Sequence, residues 1–160
     1  MEVVSPEMAA RQKLYLDAQA IETEGLLGWG MDGTVWRTSR KTALKLHRSR
    51  SYYRQERDVY LRLRHHSLYR LAGFSIPVLY HYDDSCLALE LLIVERPFVL
   101  DFAEATLDTP FAEIDDPAWL NERARRFGSD WPDVQRLLNA LRQYGIYFRD
   151  IHTGNISIRP

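Results

Sequence analysis

The sequence predicts an α+β fold, with an antiparallel β-sheet in the first half of the chain and helices in the second half. Residues 34–38 are mostly β-branched or aromatic, and residues 42–46 have the alternation of a further strand. Apolar residues then recur at helical spacing over residues 51–66. Two later stretches, residues 117–127 and 132–144, also have helical patterns, so the second half is predicted to be mostly helical.

The composition is that of a folded globular protein. Of the 160 residues, 46% are hydrophobic and 27% are charged, and the net charge is -1, which fits one domain or two small lobes that share a core. No window reaches the run of about 18 apolar residues that spans a bilayer, and residues 1–6 lack the features of a signal peptide, so we expect a cytoplasmic location. The single cysteine, Cys86, has no internal disulfide partner, and no Cys/His cluster has zinc-site spacing.

The net charge conceals an asymmetry between two parts of the chain. Residues 41–70 carry nine Lys/Arg and two acidic residues, whereas residues 83–116 carry ten acidic residues and Arg96 alone. A basic segment can face an anionic ligand such as a nucleotide, an acidic partner or RNA. No motif of stacking aromatic residues accompanies the charge, which disfavours nucleic acid as the partner.

A glycine-rich segment follows a predicted helix over residues 6–20 and a predicted strand over residues 21–27. Its sequence, Gly28-Trp29-Gly30-Met31-Asp32-Gly33-Thr34-Val35, matches Gly-x-Gly-x-x-Gly-x-Val. Such glycines either turn a strand into a helix in dinucleotide-binding folds or form a β-hairpin that closes over phosphates. The residues after Gly33 favour a strand, so we predict a hairpin. A plain hairpin with an Asp32-Gly33 turn is the alternative.

A lysine and a glutamate are predicted to meet after this hairpin. Lys45 lies on the third predicted strand, in the sequence Ala43-Leu44-Lys45. Glu56 shares the predicted buried face of the helix over residues 51–66, for which Ser51 is the expected N-cap. A buried carboxylate needs a cationic partner, and Lys45 is the natural candidate. In the alternative, Glu56 lies at the exposed edge of the helix and pairs with Arg54 or Arg57.

The second half is predicted to lead the chain into a polar loop. A strand over residues 86–94 precedes Glu95-Arg96-Pro97, and residues 101–116 are predicted to be acidic and irregular. The last helix, with Asp130 or Trp131 as its cap, ends near Gly145. The loop that follows places Asp150 and Asn155 between apolar anchors, where a carboxylate can accept a proton and a carboxamide oxygen can bind a hard cation.

The spacing Asp150-x-x-x-x-Asn155 resembles the catalytic loop of protein kinases, and Asp150-x-His152-x-x-Asn155 resembles that of aminoglycoside phosphotransferases and small bacterial kinase-like proteins. With the glycine-rich segment and Ala-x-Lys, the resemblance to the protein-kinase-like superfamily covers residues 21–158. It implies an N-terminal helical extension (1–20), an antiparallel N-lobe with one helix (21–96) and a truncated, mostly helical C-lobe (97–160).

The resemblance also implies a role for each of these residues. It implies ATP and Mg²⁺ as cofactors and a hydroxyl acceptor on a protein or a small molecule. Asp150 and Lys45 would be catalytic, and Asn155 would bind the metal. The residues implied to contact ATP, or to orient Lys45 in the case of Glu56, are Gly28, Gly30, Gly33, Val35, Ala43, Lys45 and Glu56.

The expected function is therefore transfer of the terminal phosphate of ATP to a hydroxyl. The alternatives are a pseudokinase that binds a nucleotide or serves as a scaffold, and a basic interaction module. Three features depart from the family. Phe148 replaces a histidine, Asp32 places a negative charge at the hairpin tip, and no Asp-Phe-Gly follows Asn155 in these residues. We therefore expect Mg²⁺ to be bound weakly, with Asp32 as the only other carboxylate near Asn155. The chain is expected to be either a fragment of a longer protein or a naturally short protein.

Overall fold

The structure is a computed structural model that describes residues 4–160, so the first three residues of the predicted extension 1–20 lie outside it. None of the helices within this range is both long and apolar enough to cross a membrane. A 3₁₀ turn at Gly128–Asp130 precedes the last helix. The helices and strands are α1 (Pro6–Gln19), β1 (Thr23–Trp29), β2 (Gly33–Thr38), β3 (Thr42–His47), α2 (Arg50–His65), β4 (Arg70–Leu71), β5 (Phe74–Ser75), β6 (Leu79–Asp83), β7 (Ala88–Leu92), β8 (Phe98–Val99), β9 (Thr106–Leu107), α3 (Pro117–Phe127), α4 (Trp131–Arg142), β10 (Ile146–Tyr147) and β11 (Ile156–Ser157).

A five-stranded antiparallel sheet occupies the first half of the chain. Its strand order is β1-β2-β3-β7-β6, and every neighbouring pair is antiparallel. The second half contributes α3, α4 and several two-residue strands. The predicted fold class, α+β with an antiparallel sheet, is therefore confirmed, and the α-helices of the second half are α3 and α4.

The alternation of β3 decides which side chains face which layer. Leu44 and Leu46 are fully buried in a small cluster with Met8 of α1. Because successive side chains of a strand point to opposite faces, Lys45 points to the other side of the sheet, where α2 lies. The strand thus buries two leucines under α1 and presents its lysine to α2.

Helix α2 begins two residues before the predicted position. Ser49, not Ser51, is its N-cap, and the Ser49 hydroxyl accepts hydrogen bonds from the backbone N–H groups of Ser51 and Tyr52. Two serines, Ser49 and Ser51, lie two positions apart, and either could be the N-cap on sequence alone. The buried face has the predicted period of a helix and contains Tyr53, Glu56, Val59, Tyr60 and Leu63.

Helix α4 joins the second half to the same core as α2. Its buried face contains Val134, Leu137, Leu138 and Leu141. Asp130, one of the two predicted cap residues, is its N-cap, but the Asp130 side chain makes no capping hydrogen bond, and a 3₁₀ turn leads into the helix. After the helix, Gly145 with φ +70° turns the chain into β10.

The segment after β7 is irregular over most of residues 101–116, as predicted, but contains one short strand, β9, in that range. Strands β8 and β9 pair with β11 and β10, respectively, on the two sides of the loop that contains Asp150 and Asn155. Strand β8 also pairs with β5, which ties the loop to the first half of the chain. We call residues 98–107 the bracing segment. Its strands are two residues long, too short to give a periodic signal in the sequence.

Candidate functional site

The site is a cavity of about 280 Å³ between the sheet, α2 and the bracing segment. Much of its wall is apolar and includes Val35, Ala43 and Leu91. Its polar residues are Lys45, Glu56, Tyr60, Asp101 and Asn155. An apolar cavity with a few convergent polar groups is the usual form of a small-molecule site.

The glycine-rich segment forms the predicted hairpin and not a strand-to-helix turn. Gly33 begins β2, and the backbone N–H of Gly30 donates a hydrogen bond to the carbonyl oxygen of Gly33 at 2.9 Å. Gly28 lines the cavity. A Cβ on Gly33 would lie 2.2 Å from the Leu46 carbonyl oxygen, whereas at Gly28 and Gly30 it would meet open space. Gly33 is therefore required by the close approach of β3, a role that the sequence did not predict.

Asp32 lies at the tip of this hairpin. Its backbone carbonyl oxygen accepts a hydrogen bond from the Arg48 N–H at 2.8 Å. Burial and the negative charge of Asp101 raise the pKa of Asp32 above its ordinary value, and Lys45 opposes the shift. The charge of Asp32 therefore interacts with the charges of Asp101 and Lys45 at the polar end of the cavity.

Lys45 is held between two carboxylates. Its Nζ lies 2.7 Å from Oε2 of Glu56 and 2.8 Å from Oδ1 of Asp101. Burial by itself would lower the pKa of Lys45, but the charges of Glu56 and Asp101 raise it above its ordinary value. The lysine is therefore a permanent cation that faces the cavity.

Glu56 forms the ion pair that helix periodicity predicts and has one further partner. The residue is 1% exposed, and its Oε2 also lies 2.6 Å from Nε2 of the buried His47. Burial would raise the pKa of Glu56, but Lys45 and the hydrogen bond with His47 lower it to about 2. Among the described residues, Oε1 of Glu56 has no hydrogen-bond partner. The alternative pairing with Arg54 or Arg57 is not seen; Arg57 instead pairs with Asp58 and Asp84.

Asp101 is the site residue that sequence reasoning missed. It follows β8, has φ +61° and pairs with Lys45. The expectation that Asp32 is the only other carboxylate near Asn155, the predicted metal ligand, is therefore wrong. A signal was present, because Asp101-Phe102 repeats the first two residues of Asp-Phe-Gly. In protein kinases that pattern follows the catalytic loop, whereas Asp101 precedes Asn155 in the chain.

The predicted catalytic loop brings Asp150 and Asn155 together. Nδ2 of Asn155 donates hydrogen bonds to Oδ2 of Asp150 at 2.8 Å and to the Asp150 carbonyl oxygen at 3.1 Å. Asn155 is 7% exposed and lines the cavity, whereas the side chain of Asp150 is 38% exposed. Nε2 of His152 lies 3.4 Å from Oδ2 of Asp150. The loop thus has one buried carboxamide at the cavity and one accessible carboxylate beside it.

Comparisons with known proteins find a partial structural similarity and no match of the sequence to a family. No family model matches the chain, and no curated protein matches it. One solved structure that it resembles is the streptomycin–ATP–APH(2'')-IIa ternary complex, with 15% identity and a TM-score of 0.42. The match covers 59% of this chain and 30% of that chain. The chain therefore spans less than a third of the length of that structure.

Proposed function

We propose that this cavity binds ATP and that the chain is a kinase-like phosphotransferase, which moves the terminal phosphate of ATP to a hydroxyl of a protein or a small molecule. One observation carries the proposal. A buried lysine, oriented by a glutamate of α2, faces the same cavity as the asparagine of an Asp-x-x-x-x-Asn loop. In kinases these groups respectively bind the nucleotide phosphates, orient the lysine and bind the metal.

The apolar part of the cavity suits the adenine ring. Val35 and Ala43, on neighbouring strands, both line it, and the resemblance to kinases implies that these two residues contact ATP. Ile93 and Val94 line it from the chain that leaves β7, where backbone groups can recognise the edge of the base. We therefore place the base between β2, β3 and residues 93–94, with the phosphates toward Lys45.

The loop supplies the groups for the acceptor. The side chain of Asp150 is accessible and can accept the proton of an incoming hydroxyl. The hydrogen bond from Asn155 Nδ2 fixes the orientation of the Asp150 carboxylate. The donor Nδ2 and the acceptor Oδ1 are separate atoms of the carboxamide, so Asn155 can bind a cation through Oδ1 while Nδ2 positions Asp150. Mg²⁺, when bound, neutralises charge on the transferred phosphate.

ATP binding is tested with a variant that removes the charge of Lys45. We expect Lys45→Met to weaken ATP binding about 10- to 100-fold, because a charge-assisted hydrogen bond contributes about 1.5–3 kcal/mol. Lys13→Met is the matched control, since Lys13 is an exposed lysine on α1. Calorimetry measures the affinity, and circular dichroism confirms that each variant is folded. Equal ATP affinity in the native chain and Lys45→Met would contradict the proposal.

Transfer is tested with a variant of the accessible carboxylate. We expect Asp150→Asn to keep ATP affinity within about twofold and to lower the rate of phosphate loss from ATP at least about 100-fold, because a general base contributes about 10²–10⁴. The measurement is transfer of the labelled terminal phosphate of ATP to three kinds of acceptor: water, hydroxyl-bearing small molecules and protein substrates. Binding of ATP without phosphate loss under any of these conditions would make the chain a nucleotide-binding module and not an enzyme.

A further inference from the structure

The bracing segment is paired with the chain at both ends of the predicted catalytic loop. Val99 of β8 is paired with Ile156, immediately after the loop, and Thr106 of β9 is paired with Tyr147, immediately before it. The two segments therefore run antiparallel. Asp101 follows Val99 by two residues and so lies near the end of the loop that contains Asn155.

A backbone hydrogen bond fixes this juxtaposition. The N–H of Leu100 donates to the carbonyl oxygen of Asn155 at 2.7 Å, so the residue before Asp101 is bonded directly to the predicted metal-binding asparagine. Both Asp101 and Asn155 line the cavity, and Lys45 lies 2.8 Å from Asp101. The carboxylate and the carboxamide thus belong to one polar cluster, although they are far apart in the sequence.

Packing of the next residue fixes the position of Asp101. Phe102 is fully buried, and its ring lies 5.3 Å from that of Tyr60 on α2 and 5.2 Å from that of Phe148 before the loop. The N–H of Ala105 donates to the Phe102 carbonyl oxygen at 2.9 Å and closes a turn. Because Phe102 is anchored between α2 and the loop, Asp101 is directed into the space between them.

The ligand chemistry of this cluster suits a divalent cation. Carboxylate and carboxamide oxygens are ligands of Mg²⁺ and Mn²⁺, and Nδ2 of Asn155 is engaged by Asp150, which leaves Oδ1 for another partner. One buried atom of a residue that lines the same cavity, Glu56 Oε1, has no hydrogen-bond partner among residues 4–160. Buried polar atoms are normally paired, so this atom independently indicates that the cavity receives a polar ligand.

The number of protein ligands is small. Within the described part of the chain, no group of three or more acidic, histidine or cysteine side chains could hold a metal. A cation beside Asp101 and Asn155 would therefore take its remaining ligands from phosphate oxygens and water, which is the usual coordination of Mg²⁺. The site would be completed by the nucleotide and would not exist as a separate cation site.

We propose that Asp101 and Asn155 are the protein ligands of the divalent cation that accompanies the nucleotide. In kinases the metal-binding Asp follows the catalytic loop, whereas here a segment that precedes the loop provides the carboxylate. The inference rests on the proposed function, since the cation arrives with ATP. The sequence predicted weak binding of Mg²⁺. With Asp101 as a second ligand, we instead expect the ATP affinity to depend on the cation.

The ion pair of Lys45 and Asp101 makes the dependence measurable. Without a cation, phosphates must compete with Asp101 for Lys45. With a cation, Asp101 gains a new positive partner. Lys45, which keeps its ion pair with Glu56, is then released from Asp101 and can bind phosphate. We therefore expect Mg²⁺ to raise the ATP affinity of the native chain at least about tenfold, a typical coupling between two bound ligands.

The Asp101→Asn variant distinguishes two roles of Asp101: a ligand of the cation, or only an ion-pair partner of Lys45. If Asp101 binds the cation, ATP affinity in the presence of EDTA stays equal or rises in Asp101→Asn, and the gain on adding Mg²⁺ falls below about threefold. Glu104→Gln, on the same segment, is the matched control and should keep the native gain. Calorimetric titration of ATP with EDTA or with Mg²⁺ gives all these values. The same Mg²⁺ gain in the native chain and in Asp101→Asn would overturn the inference.

A measurement on the native chain does not depend on any variant. With Mn²⁺ and ATP bound, paramagnetic broadening of the backbone amide signals should be strongest at Leu100, Asp101 and Asn155. Strongest broadening at Asp32 would place the cation at the hairpin tip and overturn the inference. If the native chain binds no ATP with or without Mg²⁺, both the proposed function and this inference are wrong. If it binds ATP but Asp101 is distant from Mn²⁺, only this inference is wrong.

Discussion

Two carboxylates contact Lys45, and they are held in different ways. Glu56 belongs to a 16-residue helix and is 1% exposed, with His47 as a second partner. Asp101 belongs to a segment between two-residue strands, and its side chain is 31% exposed. One carboxylate is part of the core, and the other is positioned by its neighbour Phe102. The comparison indicates that the first maintains the fold and that the second is available to exchange its partner for a ligand.

The largest expected effect is on the core member of the pair. Glu56→Ala should lower the free energy of unfolding by about 3–5 kcal/mol, because it leaves Lys45 and His47 buried without their shared acceptor. Asp58→Ala, on the same helix, removes an exposed carboxylate and is the control. Urea unfolding measures both. An unchanged midpoint for Glu56→Ala would show that the ion pair does not support the fold.

The second effect concerns the anchor of the bracing segment. Phe102→Ala should lower the free energy of unfolding by about 3–4 kcal/mol, because Phe102 is fully buried and its removal leaves a cavity between α2 and the loop. Phe98 is only partly buried on the same segment, so Phe98→Ala should cost less. Equal losses in urea unfolding would mean that Phe102 does not position Asp101 as described.

The third effect is a pH dependence that belongs to Glu56. Its pKa in the folded chain is about 2, below the ordinary 4.5, so its contribution to stability is complete above pH 4.5. The contribution is lost as the pH falls toward 2, and its size is about 3 kcal/mol. Urea midpoints of the native chain and Glu56→Gln should therefore converge between pH 4.5 and pH 2. A difference that is independent of pH would contradict the assigned pKa.

The smallest effect is expected for the other member of the pair. Asp101→Ala should change the free energy of unfolding by no more than about 1 kcal/mol, because partly exposed ion pairs contribute little and Lys45 keeps Glu56. Urea unfolding beside Glu56→Ala gives the comparison directly. A loss as large as that of Glu56→Ala would make Asp101 a structural residue.

Several features of the site could be predicted because they depend on local patterns. The position of Glu56 on the buried face of α2 follows from helical periodicity, and the direction of Lys45 follows from strand alternation. The hairpin at Gly28–Val35 follows from the residues after Gly33. Each of these signals lies within one element or between neighbouring elements, so the sequence is sufficient to read them.

Other features depend on contacts between distant parts of the chain. The need for glycine at position 33 comes from the carbonyl oxygen of Leu46 on the next strand. The proximity of Asp101 and Asn155 comes from the pairing of β8 with β11, strands that are separated by two helices. Two-residue strands have no hydrophobic period, so no local pattern specifies their pairing.

The sequence by itself determined an antiparallel sheet with one amphipathic helix, an ion pair between Lys45 and Glu56, and a loop that holds Asp150 beside Asn155. Tertiary structure alone decided that Asp101, which comes earlier in the chain, lies at the same site. The physical reason is that side-chain periodicity is a property of one element, whereas the carboxylate reaches Lys45 only after Phe102 is buried between α2 and the loop.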